Sequence, residues 1–219
     1  MVPEISRKVS PVTLTLVIIN TVVFGLTVLL APIPTVFGMM DYDLVSKGQV
    51  YRLFTAIFLH GGVEHILSNM VMFYAAGDLL EKRIGHVRFA FAYLLSGIAG
   101  NAVSYLYEKV SGVRYTAVGA SGAVYGIMGV IICLAIRKVK GFEIPKQRIL
   151  LALFFSIYSS FAIPNIDYSA HIGGMAAGLI AGLFIKKTHR DDTVINILSE
   201  DRELAEERNL QEWKDNGIR

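Results

Sequence analysis

Ser121 and His171 are the two side chains in this 219-residue sequence whose types and settings suggest covalent chemistry. Ser121 stands in Gly119-Ala120-Ser121-Gly122, inside the uncharged run Tyr115 to Ile136. His171 stands in Ser169-Ala170-His171-Ile172-Gly173-Gly174, at the outset of a second uncharged run. A serine hydroxyl is a poor nucleophile until a neighbouring base takes its proton, and a neutral imidazole within hydrogen-bond reach does that. Attack on a carbonyl then needs fixed donors for the oxyanion. The Asn69 amide, the His65 ring and the backbone N–H of Ser121 are the candidates.

The elements that must carry these residues are membrane helices. The chain is 53% hydrophobic with a mean hydropathy of +0.51, too continuously apolar for one soluble domain. Lys, Arg, Asp and Glu are absent from Val9 to Met40, Phe89 to Tyr107, Tyr115 to Ile136, Ile149 to Ile166 and Tyr168 to Ile185. Each run supplies roughly the 17 to 25 residues that a spanning helix needs. Ile66 to Leu80 is mostly apolar and adds a sixth span, second in chain order. The expected fold class is an all-α membrane protein of six transmembrane helices. Pro32 to Gln49, too polar to cross and too apolar to float free, forms an interfacial loop between helices 1 and 2.

Charge sets the expected orientation. With the amino terminus in the cytoplasm, the inner segments hold Arg7 and Lys8, then Lys82, Arg83 and Arg88. Arg137, Lys138, Lys140, Lys146 and Arg148 follow, then Lys186, Lys187 and Arg190. The outer segments hold only Lys47, Arg52, Lys109 and Arg114. This is the positive-inside pattern for six spans with both termini cytoplasmic. Val12 to Leu30 is longer than a secretory leader's core and reads as a retained first helix. The domain organisation is a membrane domain over 1–187 and a mixed-charge cytoplasmic tail over 188–219. The net charge of +3 carries no basic patch with interleaved aromatics, so nucleic acid is not an expected partner.

Depth brings the chemical residues together. At 1.5 Å per residue, Ser121 lies about 24 Å above Arg137 and His171 about 22 Å above Lys186. Asn69 and His65 lie about 18 and 24 Å above Glu81. All fall in the outer third of a hydrocarbon core roughly 30 Å thick. Ala170, Gly174, Gly178 and Gly182 recur every four residues as a small stripe that lets another backbone approach. Gly122 and Gly126 form a similar pair, with Ser121 and Tyr125 one turn apart beside it. If the two small faces meet, Ser121 and His171 face each other.

Other chemistries fit less well. His60 and Glu64-His65 are off register for a zinc-binding His-Glu-x-x-His helix, so no metal or cofactor is expected. Asp78 has no partner aspartate at its depth, no intramembrane lysine accompanies Ser121, and Ala123 breaks the hydrolase elbow Gly-x-Ser-x-Gly. The lone cysteine, Cys133, reads as a small packing residue. His60 is expected to bond backbone in the outer loop, and Glu81 and Arg83 to form an ion pair or reach the interface. His86 and His189 are expected to be inert. Asp167 reads as the N-cap of the sixth helix, with Asn165 or Ser169 competing for that place and a third triad member as the alternative. Phe154, Phe155, Tyr158 and Phe161 read as packing or lipid-facing residues.

These residues resemble the rhomboid family of intramembrane serine proteases. The resemblance rests on His60-Gly61-Gly62-Val63-Glu64-His65-Ile66-Leu67-Ser68-Asn69, on Gly119-Ala120-Ser121-Gly122 and on Ala170-His171-Ile172-Gly173-Gly174. Glu81-Lys82-Arg83-Ile84-Gly85 is similar to the family's ending of the second helix. Together they span about Val12 to Lys187. The resemblance implies a rhomboid-like six-helix bundle and a serine and histidine dyad without a catalytic aspartate. It implies substrates that are transmembrane proteins, cut in the bilayer near the membrane surface. Ser121 is then similar to the nucleophile, His171 to the base, His65 and Asn69 to the oxyanion donors, and Tyr125 to the aromatic that stacks on the histidine. Tyr51-Arg52 stands where the family often has Trp-Arg. The resemblance also allows the fifth-helix aromatics to border a substrate entrance. Two other readings stay open: a catalytically silent relative that binds transmembrane helices, and a small transporter, for which no pair of broken helices speaks.

Overall fold

The computed structural model describes residues 10–31, 33–114, 116–139 and 166–185, and single positions at 142, 144, 145, 147, 150, 151, 154 and 206. The first long helix, α1, runs Pro11–Leu29, with Pro11 in its first turn where a missing N–H costs nothing. The following segment folds into α2 (Ile33–Gly38), β1 (Met40–Asp41), α3 (Tyr42–Ser46), α4 (Arg52–Thr55) and a 3₁₀ turn (Ala56–Phe58). Four further long helices follow among the described residues: α5 (Val63–Ile84), α6 (His86–Ser111), α7 (Ser121–Ile136) and α8 (Tyr168–Phe184). A short strand β2 (Thr116–Ala117) precedes α7 and pairs antiparallel with β1, Met40 opposite Ala117 and Asp41 opposite Thr116.

Two features follow from a chain whose solvent is lipid. Large apolar side chains such as Leu14, Ile18, Val22, Leu67, Val71 and Phe91 are exposed, while Thr13, Asn20, Ser96, Asn101 and Ser104 are buried. Small and polar residues pack the helices together because apolar ones gain nothing by leaving lipid. The aromatic core between α1, α5, α6 and α7 is built from Phe73, Phe89 and Tyr93, with Leu80 and Ile127 closing it.

Helices α7 and α8 meet backbone to backbone. A Cβ placed on Gly174 would stand 2.0 Å from the Gly122 carbonyl oxygen, and one on Gly178 would stand 1.9 Å from that of Gly126. A Cβ on Gly129 would stand 2.4 Å from the Met175 carbonyl oxygen. The two small-residue faces thus face each other as their spacing indicated. At the far end, Cys133 packs on Gly182, and the Arg137 guanidinium donates to the Gly182 and Ile185 carbonyls at 2.5 and 2.9 Å. Those carbonyls lie at the end of α8, where intrahelical donors run out.

The inner end of α5 corrects one expectation. Glu81 neither pairs with Arg83 nor reaches toward solvent: it is 1% exposed and caps α1. Its carboxylate accepts from Val12 N–H at 3.0 Å, Thr13 N–H at 2.7 Å and Thr13 Oγ1 at 2.6 Å. His86 Nδ1 lies 2.6 Å from the same carboxylate, so that histidine is also engaged. The physical reason is that the Ser10 side chain makes no cap bond at this helix start, leaving orphan N–H groups that a buried anion satisfies. Ser10 instead donates to Asp78 at 2.8 Å, and Asp78 pairs with Lys82 at 2.8 Å.

The segment between α1 and α5 is pinned by Arg52, 2% exposed. It donates to the Val36 and Met39 carbonyls at 2.9 Å each and to Gln49 at 2.8 Å. Apart from Leu150, Leu151, Phe154 and Ile166, the fifth expected span lies outside the described residues, and with it Phe155, Tyr158 and Phe161. The chain divides into two compact units, Met1–Ile185 and Lys186–Arg219; every element above belongs to the first. In the second, only Glu206 is described, and His189 lies outside the described residues.

Candidate active site

Ser121 is the first residue of α7 and is half-buried. The chain reaches it through a path held from one side by the α1–α5 segment. The β1–β2 pair fixes Thr116 and Ala117, Gly119 N–H donates to the Ala56 carbonyl at 2.9 Å, and Ala120 N–H points to His60 Nε2 at 3.5 Å. Gly119 has φ +134°, and a Cβ there would stand 2.9 Å from both Cε1 and Nε2 of His65. The positive φ favours glycine, and the missing side chain leaves room for the His65 ring. Beginning at Ser121, the helix points its unpaired N–H groups and the positive end of its dipole toward the space around the serine.

His171 lies in the first turn of α8 and is 7% exposed. Its ring stacks on that of Tyr125, with centroids 4.0 Å apart and planes 14° from parallel. Tyr125 lies one helical turn after Ser121, so the stack holds the imidazole over the face of α7 that begins with the serine. The backbones agree: a Cβ on Gly122 would stand 3.4 Å from the Ala170 carbonyl oxygen, so Ser121-Gly122 passes against Ala170-His171.

From α5 come His65 and Asn69. The His65 ring lies against Gly119, two residues before the serine. Asn69, 6% exposed, donates one amide hydrogen to the His65 carbonyl at 3.0 Å, which leaves its amide a second N–H. His60 meets His65 edge to face, centroids 5.2 Å apart. Burial, reinforced by the neighbouring His65 and opposed by the Phe58 carbonyl, pushes the His60 pKa down to about 4. His60 is therefore neutral at pH 7, and as acceptor from Ala120 at Nε2 it carries its proton on Nδ1. Its role in holding backbone is the one expected of it.

Asp167 is the N-cap of α8, accepting Ala170 N–H at 3.0 Å on Oδ1. Ser169 donates to the same oxygen and Ser104 of α6 to Oδ2. Ser104 was not singled out from the sequence. The only signal for it was the small and polar spacing Gly97, Gly100, Asn101, Ser104 within an apolar run, which marks a packed face. Among the described residues no group of three His, Cys, Asp or Glu side chains is gathered as metal ligands.

An all-α fold with lipid-suited packing gathers a serine at one helix start, a stacked histidine at another, and a histidine and asparagine on a third. That combination defines an integral membrane protein with a serine, two histidines and an asparagine brought together from three helices. Residues 47–188 match the family description "Rhomboid domain", and the chain belongs to the rhomboid family. It is 33% identical over 146 residues to "Rhomboid protease GluP" of Bacillus subtilis (strain 168), covering 66% of this chain and 28% of that protein. It is 36% identical over 149 residues to "RHOMBOID-like protein 1" of Arabidopsis thaliana, covering 66% of this chain and 37% of the relative. "Putative rhomboid protease YdcA" of Bacillus subtilis (strain 168) is 37% identical over 153 residues, 68% of this chain and 75% of that protein. The match to the first two thus spans well under half of their length.

Proposed function

We propose that this chain is a serine-type intramembrane endopeptidase, cutting transmembrane protein substrates in the lipid bilayer through a Ser121–His171 dyad. The observation that carries the reading is the stack of His171 on Tyr125, one turn from a serine that opens its helix. Family membership and relatives named as rhomboid proteases support the same activity.

In this mechanism His171 takes the proton of Ser121 Oγ as the oxygen attacks the scissile carbonyl. The resulting oxyanion is met by the Ser121 backbone N–H, the free N–H of Asn69 and the His65 ring. Collapse of the tetrahedral intermediate breaks the C–N bond, His171 returns the proton to the leaving amine, and an acyl-serine remains. Water activated by His171 then releases the new carboxyl end. The positive-inside charge pattern supports both termini in the cytoplasm and a site toward the outer face of the cell membrane, within reach of water.

The test is cleavage of a single-span substrate together with labelling by a fluorophosphonate probe in detergent. Wild type is expected to cut and to label. Ser121→Ala and His171→Ala are each expected to do neither, and Asn69→Ala to cut about 10²-fold more slowly, the usual loss for one oxyanion donor. Labelling that persists in Ser121→Ala, or full cleavage by His171→Ala, overturns the assignment.

A further inference from the structure

The glycine faces that bring α7 and α8 together are smooth. Gly122 and Gly126 meet Gly174 and Gly178 through backbone, so few side chains interlock across this contact to set the helices' register along their axes. Across it run the Tyr125–His171 stack and the Arg137 bonds to the Gly182 and Ile185 carbonyls, and a third helix adds a further hold on the dyad's register. Helix α6, which carries none of the proposed catalytic residues, is placed to do so. Gly100, Val103, Ser104 and Tyr107 occupy one face at helical spacing, and each meets the beginning of α8. A Cβ on Gly100 would stand 2.7 Å from the Ala170 carbonyl oxygen, and one on Gly173 would stand 2.6 Å from Val103 Cβ. Ser104, fully buried, donates to Asp167 Oδ2, and the Tyr168 hydroxyl bonds that of Tyr107. Asp167 then passes this hold into α8 through its other oxygen, which accepts from Ala170 N–H, the peptide next to His171.

We propose that Ser104 and Asp167 are positioning residues for His171: together they fix the first turn of α8 against α6, and so set the reach of the imidazole to Ser121. The inference rests on the dyad reading above. The action of Asp167 is geometric. Asparagine retains it, because an amide oxygen caps the helix equally well and the amide N–H can donate to the Ser104 hydroxyl. A loosened first turn displaces the base by a fraction of the ~1 Å that typically costs 10²-fold.

The experiment compares purified Ser104→Ala, Asp167→Ala, Asp167→Asn and His171→Ala with wild type by fluorophosphonate labelling. It records both the fraction labelled at completion and the second-order rate constant. Ser104→Ala and Asp167→Ala are expected to reach the wild-type labelled fraction with rate constants lowered about tenfold. Asp167→Asn is expected within about twofold of wild type, rescue by a conservative change being the mark of a positioning role. Unchanged rate constants in Ser104→Ala and Asp167→Ala overturn the proposal. So does a smaller labelled fraction at an unchanged rate constant, which marks a fold defect alone. Asp167→Asn as slow as Asp167→Ala also overturns it, because charge would then matter more than geometry. His171→Ala separates the two readings: if it labels like wild type the dyad itself fails. If it is silent while the Ser104 and Asp167 variants react normally, only the positioning role fails.

Discussion

Replacing Gly174 by alanine tests the helix contact on which the site depends. In an isolated helix the change is favourable, alanine being about 1 kcal/mol better than glycine. Here the new Cβ would stand 2.0 Å from the Gly122 carbonyl oxygen, 2.7 Å from its carbon and 3.1 Å from its Cα. Ordinary contact begins near 3.4 Å, so α7 and α8 must part by about 1.4 Å along that line (3.4 − 2.0). Both surfaces are backbone, and no rotamer change relieves the overlap. Overpacking of this kind costs about 1–3 kcal/mol, which outweighs or cancels the gain in propensity. The larger effect is on chemistry. Gly122 adjoins Ser121 and Gly174 lies three residues after His171, so the separation enters the Ser121 to His171 spacing directly. Because a 1 Å misplacement typically costs 10²-fold, cleavage of a single-span substrate should fall by about that factor. Thermal unfolding in detergent should also shift to lower temperature. Gly25→Ala is the control: nothing lies within 4 Å of a Cβ there, so its rate should equal that of wild type. Cleavage by Gly174→Ala within threefold of wild type, with no loss of thermal stability, would refute the backbone contact.

Two further outcomes concern stability. His60 is neutral when folded with its pKa near 4, while an unfolded histidine titrates near 6.5, so between those values the unfolded chain binds more protons. His60 should therefore lower stability as pH falls from about 6.5, with its loss complete just below 4. Unfolding of wild type against His60→Asn across this range should show the wild type steeper; parallel curves would remove His60 as the cause. Glu81→Ala should destabilise by roughly 2–4 kcal/mol, since three donors at the start of α1 lose a charged acceptor. Arg83→Ala, on an exposed side chain, should change it by less than about 0.5 kcal/mol, and equal effects of the two would contradict the cap.

Much of the arrangement was legible in the chain. Helices α1, α6, α7 and α8 lie within or over uncharged runs, because a backbone in lipid must bond to itself and helices do so locally. The second span was harder to read because Glu64 and Asp78 interrupt it, yet it forms the helix Val63–Ile84. The four-residue spacing of Gly174, Gly178 and Gly182 foretold close approach, since a missing side chain is visible in one dimension. The Asp167 cap was legible for the same reason: it reaches only three residues along the chain.

Sequence alone, then, determined the membrane setting, the helix faces and the residue types at the candidate site, because hydropathy, periodicity and capping act over a few neighbouring residues. Tertiary structure decided the rest. Glu81 and Arg83, two residues apart, looked like a local ion pair, but Glu81 bonds α1, 68 and 69 positions away. Ser104 meets Asp167 across 63 positions, and His60 meets Ala120 across 60. The choice of partner for a buried polar group depends on which of several distant groups the packed helices bring within 3 Å, and no local pattern encodes that distance. The stack of His171 on Tyr125 is a mixed case: the resemblance named the ring, but the contact itself depends on how two glycine faces close.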